Sequence, residues 1–240
     1  MSSVITKVRK LVPAFVAIAS VGLVVGGSVP AAAGAPDRAM QEAPPMPHQP
    51  PFVAQVLRIN PHTARQMTGV TWEPGCPVPI EDLRVVQMRY WGFDDRAHKG
   101  RLVVNSDVAD AVVRVFEKIY EARFPIRRME PVVNYGGSDD ASMAADNTSS
   151  FNCRPITGTT DRWSIHSYGR AIDINTVENP YVKGSLVLPD AGREFLDRAD
   201  VRPGMITAGD LVNRAFAAEG FDWGGSWTSL KDFQHFERTP

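Results

Sequence analysis

Hydrophobic and polar side chains alternate along the run DLRVVQMRYWGF, where Val86, Met88 and Tyr90 share one face. A period of two over such a length is typical of a strand with one buried face. A second apolar run, RLVVN, begins just after Gly100. We therefore expect a hairpin whose turn lies at Gly100 and includes His98.

The next stretch changes to a helical period between Ser106 and about Arg123. The apolar positions at this spacing are Ala109, Val112, Val113, Phe116, Ile119 and Tyr120. Ser106 is a favourable N-cap and Pro125 ends the pattern. The pattern predicts a helix with this apolar face in the core.

Two shorter helices are predicted nearer the C-terminus. One runs from Pro189 to about Ala199, and the other begins at an N-cap, Thr207, has Asp210 three residues later and stops at Gly220. Strands are expected both before and after the helices, and no repeats occur. This order predicts an α+β fold.

The N-terminus has the layout of a secretory signal peptide, predicted over residues 1–35. Basic residues precede an apolar run from Leu11 to Val25, and small residues follow, with cleavage expected after Ala33 or Ala35. An uncleaved membrane anchor is the alternative. No cysteine lies near the cleavage region, so a lipid anchor is not expected.

Residues 36–51 are rich in proline and nearly free of large apolar side chains, which predicts an extended linker. Residues 52–240 are then one domain. The chain has 43% hydrophobic residues and a formal charge of −1. This composition fits a globular protein with a substantial core and excludes a polybasic nucleic-acid binder.

The chain has two cysteines, Cys76 and Cys153. In an exported protein a single disulfide is the expected pairing. It would close a loop of about 75 residues and stabilise the fold by about 4 kcal/mol on the chain-entropy view. Two buried thiols are the alternative, and a zinc site is disfavoured because neither cysteine lies in a C-x-x-C pair.

The stretch SIHSYGRAID places His166 and Asp173 on either side of a glycine. Isoleucines at 172 and 174 alternate with Asp173, which predicts a strand with the carboxylate opposite the core. A turn over residues 167–169 can bring the imidazole of His166 beside it. Imidazole and carboxylate are two of the three protein ligands of a catalytic zinc site.

A third ligand is expected to be another histidine. The candidates are His48, His62, His98 and His235. His48 lies in the linker, and only His235 has companion acids, in LKDFQHFE. Asp232 precedes it by three residues, a spacing that predicts one side of a helical turn, and Glu237 follows it by two.

These residues resemble a known family. SIHSYGRAID fits the S-x-H-x-x-G-x-A-x-D motif of the D-alanyl-D-alanine carboxypeptidase family of zinc peptidases, which includes VanY-like and VanX-like enzymes and phage L-alanyl-D-glutamate endopeptidases. DFQHF is similar to its second motif, acid-x-x-His, and WGGSW lies just upstream. The resemblance spans about Pro125 to the C-terminus and implies a small antiparallel sheet that carries zinc between flanking helices, as in Hedgehog and DD-peptidase folds.

The resemblance implies that His166, Asp173 and His235 bind zinc and that Asp232 is the catalytic base. Many relatives have glutamate at that position, whereas the endopeptidase branch has aspartate. The shorter side chain must then reach the same water. Glu237 is expected to orient His235 from outside the ligand set, or else to replace Asp232 as base.

The resemblance also implies an oxyanion-stabilising arginine upstream of the first motif. Four arginines are candidates: Arg127, Arg128, Arg154 and Arg162. Arg154 is preferred because a disulfide at Cys153 would tether it. Ser164 is expected to bind substrate as the motif implies, or to bond a neighbouring amide. The tryptophans of WGGSW line a groove or pack in the core.

The sequence thus predicts an exported zinc peptidase that acts on peptidoglycan stem peptides. A D-alanyl-D-alanine carboxypeptidase is the first choice and an L-alanyl-D-glutamate endopeptidase the close alternative. A non-catalytic, zinc-containing wall-binding module is the rival from another class. A serine or cysteine hydrolase lacks support because no G-x-S-x-G occurs. No nucleic-acid partner is expected, and no stable membrane span if the signal is cleaved.

Overall fold

A computed structural model describes residues 49–156 and 159–239. The predicted signal peptide and most of the predicted linker lie outside these residues. The last linker residues contact the domain, since the Tyr120 hydroxyl donates to the Pro50 carbonyl at 2.6 Å. The boundary at residue 52 stays a prediction. Within the described ranges, no helix is long and apolar enough to cross a bilayer.

The described residues form twelve strands and four α-helices. The strands are β1 (Ala54–Arg58), β2 (Leu83–Gly92), β3 (Ala97–Asn105), β4 (Pro125–Ile126), β5 (Arg128–Met129), β6 (Asn147–Thr148), β7 (Ala171–Asp173), β8 (Tyr181–Lys183), β9 (Leu186–Leu188), β10 (Asp222–Trp223), β11 (Lys231–Asp232) and β12 (His235–Glu237). The α-helices are α1 (Pro61–Met67), α2 (Ala109–Glu121), α3 (Asp139–Ala144) and α4 (Leu211–Ala217). Short 3₁₀ helices span Ile80–Asp82, Val132–Tyr135, Ile165–Tyr168, Asp190–Phe195 and Gly224–Ser226.

The first sheet has the order β1-β2-β3, with β4 parallel to β2. The predicted hairpin is present, but its turn lies at residues 93–96, where Asp95 has a φ of 56°. Gly100 is instead a strand residue paired with Met88, and His98 pairs with Tyr90. A Cβ at Gly100 would lie 2.5 Å from Met129 Cβ, so this glycine permits the strand to pack closely against Met129. The prediction of a turn at Gly100 was therefore wrong.

Helix α2 buries five of the six predicted apolar positions, with Val113 only half-buried, and it begins at Ala109 rather than after Ser106. The Ser106 N–H donates to the Asp82 carbonyl at 2.8 Å, and the Val108 N–H donates to the Asn105 carbonyl at 3.2 Å. These bonds form a turn after β3, so the predicted N-cap at Ser106 was wrong.

The two C-terminal helices are shorter than predicted. The first is only the 3₁₀ helix Asp190–Phe195. In the second, Asp210 is the N-cap of α4 because its side chain accepts from the Asn213 N–H at 2.7 Å. Thr207 donates its own N–H to Asp210 and is not the cap.

A second sheet, of order β10-β12-β7, is antiparallel throughout. Its core face carries Ile172 and Phe236, and Phe236 stacks on Phe216 of α4 with ring centroids 4.0 Å apart. These residues share one cluster with the side chains of α2 and of the first sheet. The α+β prediction, with a small antiparallel sheet and flanking helices, is therefore confirmed.

The predicted disulfide joins Cys76 and Cys153 across 77 residues. The Cys153 N–H also donates to the Thr71 carbonyl at 2.9 Å. Both contacts fasten the segment that follows α1 to the segment that leads into the candidate site.

Candidate active site

His166 is held by a short 3₁₀ helix with a defined beginning and end. The Ser164 hydroxyl caps it by accepting from the His166 N–H at 3.3 Å. The helix ends at Gly169, where φ is 67°. A Cβ there would lie 2.6 Å from the Asn105 nitrogen, so glycine is required both by the turn and by the contact with β3.

Asp173 and His235 are directly opposite each other on β7 and β12. Opposed residues of antiparallel strands project from the same face, which brings this carboxylate and imidazole together. Asp232 and His235 do not share a helical turn, since they lie on two separate strands, β11 and β12. That expectation was wrong, although both side chains line the same cavity.

Three side-chain atoms converge at the site. His166 Nε2 lies 3.2 Å from His235 Nδ1 and 3.2 Å from an oxygen of Asp173. His235 Nδ1 lies 3.0 Å from the other oxygen of Asp173. One ligand atom from each residue lies within 4.8 Å of the others, which meets the spacing of a group able to hold a metal ion.

The outer nitrogens of both imidazoles have acceptors. His166 Nδ1 lies 2.6 Å from the Ser150 carbonyl oxygen, and His235 Nε2 lies 3.0 Å from Glu237 Oε2. These acceptors place the ring protons on the outer nitrogens and turn both lone pairs inward. Two lone pairs 3.2 Å apart repel unless a proton or a metal ion lies between them. The donor set, two nitrogens and a carboxylate, therefore fits zinc.

The close approach of these groups shifts the pKa values of Asp173 and His235. Burial raises the pKa of Asp173, but the imidazoles of His166 and His235 outweigh burial and hold that pKa well below its usual range. Burial lowers the pKa of His235, yet hydrogen bonds to Asp173 and Glu237 raise it to about 10. Protons and metal ions therefore compete for the same lone pairs.

Asp232 has the environment expected of a general base. Burial raises its pKa to about 7, against the attraction of the His235 ring. Its Oδ1 atom is shielded from solvent and has no hydrogen-bond partner among the described residues. A carboxylate that titrates near neutrality can take and return a proton during a reaction.

The three candidate ligands and Asp232 line a cavity of about 550 Å³. Polar side chains on its wall include Ser164, Arg154, Arg162 and Glu237. The volume is that of a site for a small ligand or a few residues of a peptide.

Residues 157–238 match the model of the D-alanyl-D-alanine carboxypeptidase family. The resemblance is confirmed over this segment. The match indicates a hydrolytic peptidase, and it contains the three candidate ligands and Asp232. No curated protein and no solved structure matches the chain.

The four candidate arginines differ in position. Arg154 and Arg162 line the cavity, and Arg154 Nη2 is paired with Asp139 Oδ2 at 2.7 Å. Arg127 lies elsewhere, 3.5 Å from Asp146 and stacked over the Phe93 ring. Arg128 is exposed on β5. Of the four candidate arginines, the cavity thus leaves Arg154 and Arg162.

The remaining predicted site residues lie on the cavity wall, in the core or away from the site. Ser164 bonds a neighbouring amide, as one of the two expectations had it, and it lines the cavity, while substrate binding by Ser164 stays a prediction. Trp227 lines the cavity, with its ring 5.4 Å from that of His235. Trp223 packs against Phe236 in the core. His62 lines a separate cavity, and His48 lies outside the described residues.

The sequence analysis did not identify three residues that contribute to the candidate site: Ser150, Asp139 and Tyr181. Ser150 acts through its backbone carbonyl, which any residue supplies, so no sequence signal exists. Asp139 and Tyr181 reach the cavity through the packing of α3 and the pairing of β8 with β11. Neither residue lies in a motif.

Proposed function

We propose that this chain is an exported, zinc-dependent peptidase that hydrolyses the peptide stems of bacterial peptidoglycan. One observation carries the proposal: His166, Asp173 and His235 turn three ligand atoms toward one point on a cavity wall, and Asp232 lines the same cavity. The matched family supports the reaction class.

His166, Asp173 and His235 would hold the zinc ion, which would supply Lewis acidity and would lower the pKa of water to about 7. Asp232 accepts the proton of the attacking water, and a new bond joins the water oxygen to the peptide carbonyl carbon. The carbon–nitrogen bond then breaks, and Asp232 returns the proton to the leaving amine. Arg154 lies where its charge acts on Asp232 and can stabilise negative charge that develops on the carbonyl oxygen.

The preferred reaction is removal of the terminal D-alanine from a D-alanyl-D-alanine stem, as the description of the matched family suggests. Cleavage between L-alanine and D-glutamate is the second candidate, favoured by aspartate rather than glutamate at position 232. A structural zinc site would usually have four protein ligands. Within the part of the chain that the structure describes, three candidate ligands lie beside an acid with an oxygen that has no hydrogen-bond partner, which favours an enzyme over a wall-binding module.

The direct test is digestion of defined muropeptides by the purified protein, with zinc and with a chelator, followed by mass measurement. Loss of one alanine identifies the carboxypeptidase, and release of a peptide that lacks L-alanine identifies the endopeptidase. The same products with and without chelator, or no product at all, would contradict the proposal.

A variant of the base separates catalysis from zinc binding. We expect Asp232→Asn to keep its zinc content and to lose turnover by about 10²- to 10⁴-fold. The exposed Asp200→Asn is the matched control and should behave as the wild type. Unchanged turnover in Asp232→Asn would assign the base to another residue.

Export is part of the proposal. The disulfide between Cys76 and Cys153 supports it, because such bonds persist in oxidising compartments. Fractionation of the producing cells tests it: the protein should be found outside the cytoplasmic membrane with an N-terminus shortened by about 35 residues. A full-length cytoplasmic product would contradict export.

A further inference from the structure

Tyr181 lies opposite Asp232 across the paired strands β8 and β11. Directly opposed residues of antiparallel strands have Cβ atoms about 4.5–5.5 Å apart on the same face. Both side chains line the cavity that holds the candidate metal ligands. The phenol is therefore the cross-strand neighbour of the candidate base.

The hydroxyl of Tyr181 has no hydrogen-bond partner among the described residues. Two other tyrosines differ: Tyr120 donates to the Pro50 carbonyl at 2.6 Å, and Tyr135 donates to Glu130 at 3.2 Å. A half-buried phenol without a partner, on the wall of a cavity, has a donor left for a ligand.

Electrostatics keep this donor protonated. Burial raises the pKa of Tyr181 above its ordinary value, and the nearby charge of Asp232 adds to the rise. The hydroxyl is therefore neutral over the working range of a peptidase and keeps its proton to donate.

We propose that the Tyr181 hydroxyl donates a hydrogen bond to the carbonyl oxygen of the peptide bond under attack. This inference rests on the proposed function. A base contacts its water at about 3 Å, and that water is about 3 Å from the carbonyl carbon, so the carbonyl oxygen lies within reach of a phenol beside Asp232. Arg154 pairs its Nη2 with Asp139 but keeps a buried Nε without a hydrogen-bond partner, and the phenol proton has no partner among the described residues, so both groups have a donor left for this oxygen.

A donor that serves the transition state affects turnover more than ground-state binding. Tyr181→Phe removes only the hydroxyl and keeps the ring. We expect kcat on the cleaved muropeptide to fall by about 10²-fold, with KM within about twofold and zinc content and melting temperature unchanged. Tyr90→Phe is the matched control, because Tyr90 stacks on His98 outside this cavity, and it should keep wild-type kinetics.

A second measurement does not depend on turnover. A phosphinate analogue of D-alanyl-D-alanine mimics the tetrahedral intermediate, and its affinity can be measured by calorimetry. Tyr181→Phe should weaken its binding by about the same factor as kcat, whereas the product D-alanine should bind both proteins equally.

The outcomes separate the two proposals. An active wild type with equal kcat in Tyr181→Phe, or with only KM raised, refutes the role of Tyr181 and leaves the peptidase intact. An inactive wild type refutes the substrate, and the phosphinate titration then decides on Tyr181 alone. Equal phosphinate affinity in both proteins, or none in either, overturns the inference.

Discussion

The outer contact of His235 with Glu237 should set the zinc affinity of the site. His235 Nε2 lies 3.0 Å from Glu237 Oε2, and the two side chains are only 8% and 19% exposed. A charge-assisted bond in such a setting is weakly screened, and it fixes both the ring orientation and the inward lone pair. Loss of an outer partner of this kind costs about 10- to 100-fold in metal affinity, or about 1.4–2.7 kcal/mol.

Two substitutions of Glu237 separate the contribution of its charge to zinc affinity from that of its hydrogen-bond acceptor. Glu237→Gln keeps an acceptor for the ring proton and loses only the charge, so we expect zinc affinity to fall by about 10-fold. Glu237→Ala removes the acceptor as well and should approach about 100-fold. The measurement is competition for zinc with a chelating indicator at pH 7. Glu219→Gln is the control, because Glu219 pairs with Arg114 at 2.7 Å outside the cavity, and its zinc affinity should match the wild type.

Turnover at saturating zinc identifies the base. If Glu237 only orients His235, hydrolysis by the fully loaded Glu237→Gln should be within about threefold of the wild type, since the reacting groups are unchanged. Wild-type zinc affinity in Glu237→Ala would refute the orienting role. Full zinc occupancy together with lost turnover would make Glu237, rather than Asp232, the base.

Three further predictions follow from other parts of the molecule. Arg154→Ala should lower kcat by about 10²- to 10³-fold, whereas Arg162→Ala should change mainly KM. If a steady-state assay shows the same change in kcat for both variants, Arg154 is not the residue that stabilises the oxyanion. Cys76→Ser/Cys153→Ser should lose about 4 kcal/mol of unfolding free energy relative to the oxidised wild type, because the bond closes a loop with a separation of 77 residues. Chemical denaturation measures the loss, and the reduced wild type should be as stable as the variant. Burial raises the pKa of Glu178 from 4.5 to about 8, and the Asp146 carboxylate adds to the rise. The folded state therefore holds a proton that the unfolded chain releases, and stability falls as pH rises between those values. Glu178→Gln should accordingly gain more melting temperature over the wild type at pH 9 than at pH 5, and a constant difference would contradict this.

The sequence was most informative where chemistry is encoded over a short distance. His166 lies in a short 3₁₀ helix and Asp173 in the strand that follows it. The alternation of apolar and polar residues along that strand was therefore enough to predict that the carboxylate faces away from Ile172. The companion acids singled out His235 among the histidines, but its role as a ligand depended on the resemblance, since no local pattern shows that β12 pairs with β7.

Long-range contacts explain what the sequence did not show. Spacing of three suggested a helix for Asp232 and His235, but pairing with β8 and β7 places them on two strands, and tertiary hydrogen bonds override local preference. Gly100 resembled a turn residue, yet its lack of a side chain accommodates Met129. The phenol of Tyr181 reached the site only through strand pairing.

The glycine and alanine of the first motif serve packing rather than chemistry. Gly169 lies against β3, where a Cβ would be 2.6 Å from the Asn105 nitrogen, and the fully buried Ala171 accepts from the Ser150 hydroxyl at 2.7 Å. In a descendant that had lost hydrolytic activity, His166 and Asp173 would no longer be required as ligands, whereas the close packing around positions 169 and 171 would still require small residues. In such pseudoenzymes the small residues should persist after the ligands have drifted, so the pair by itself marks shared ancestry and not activity.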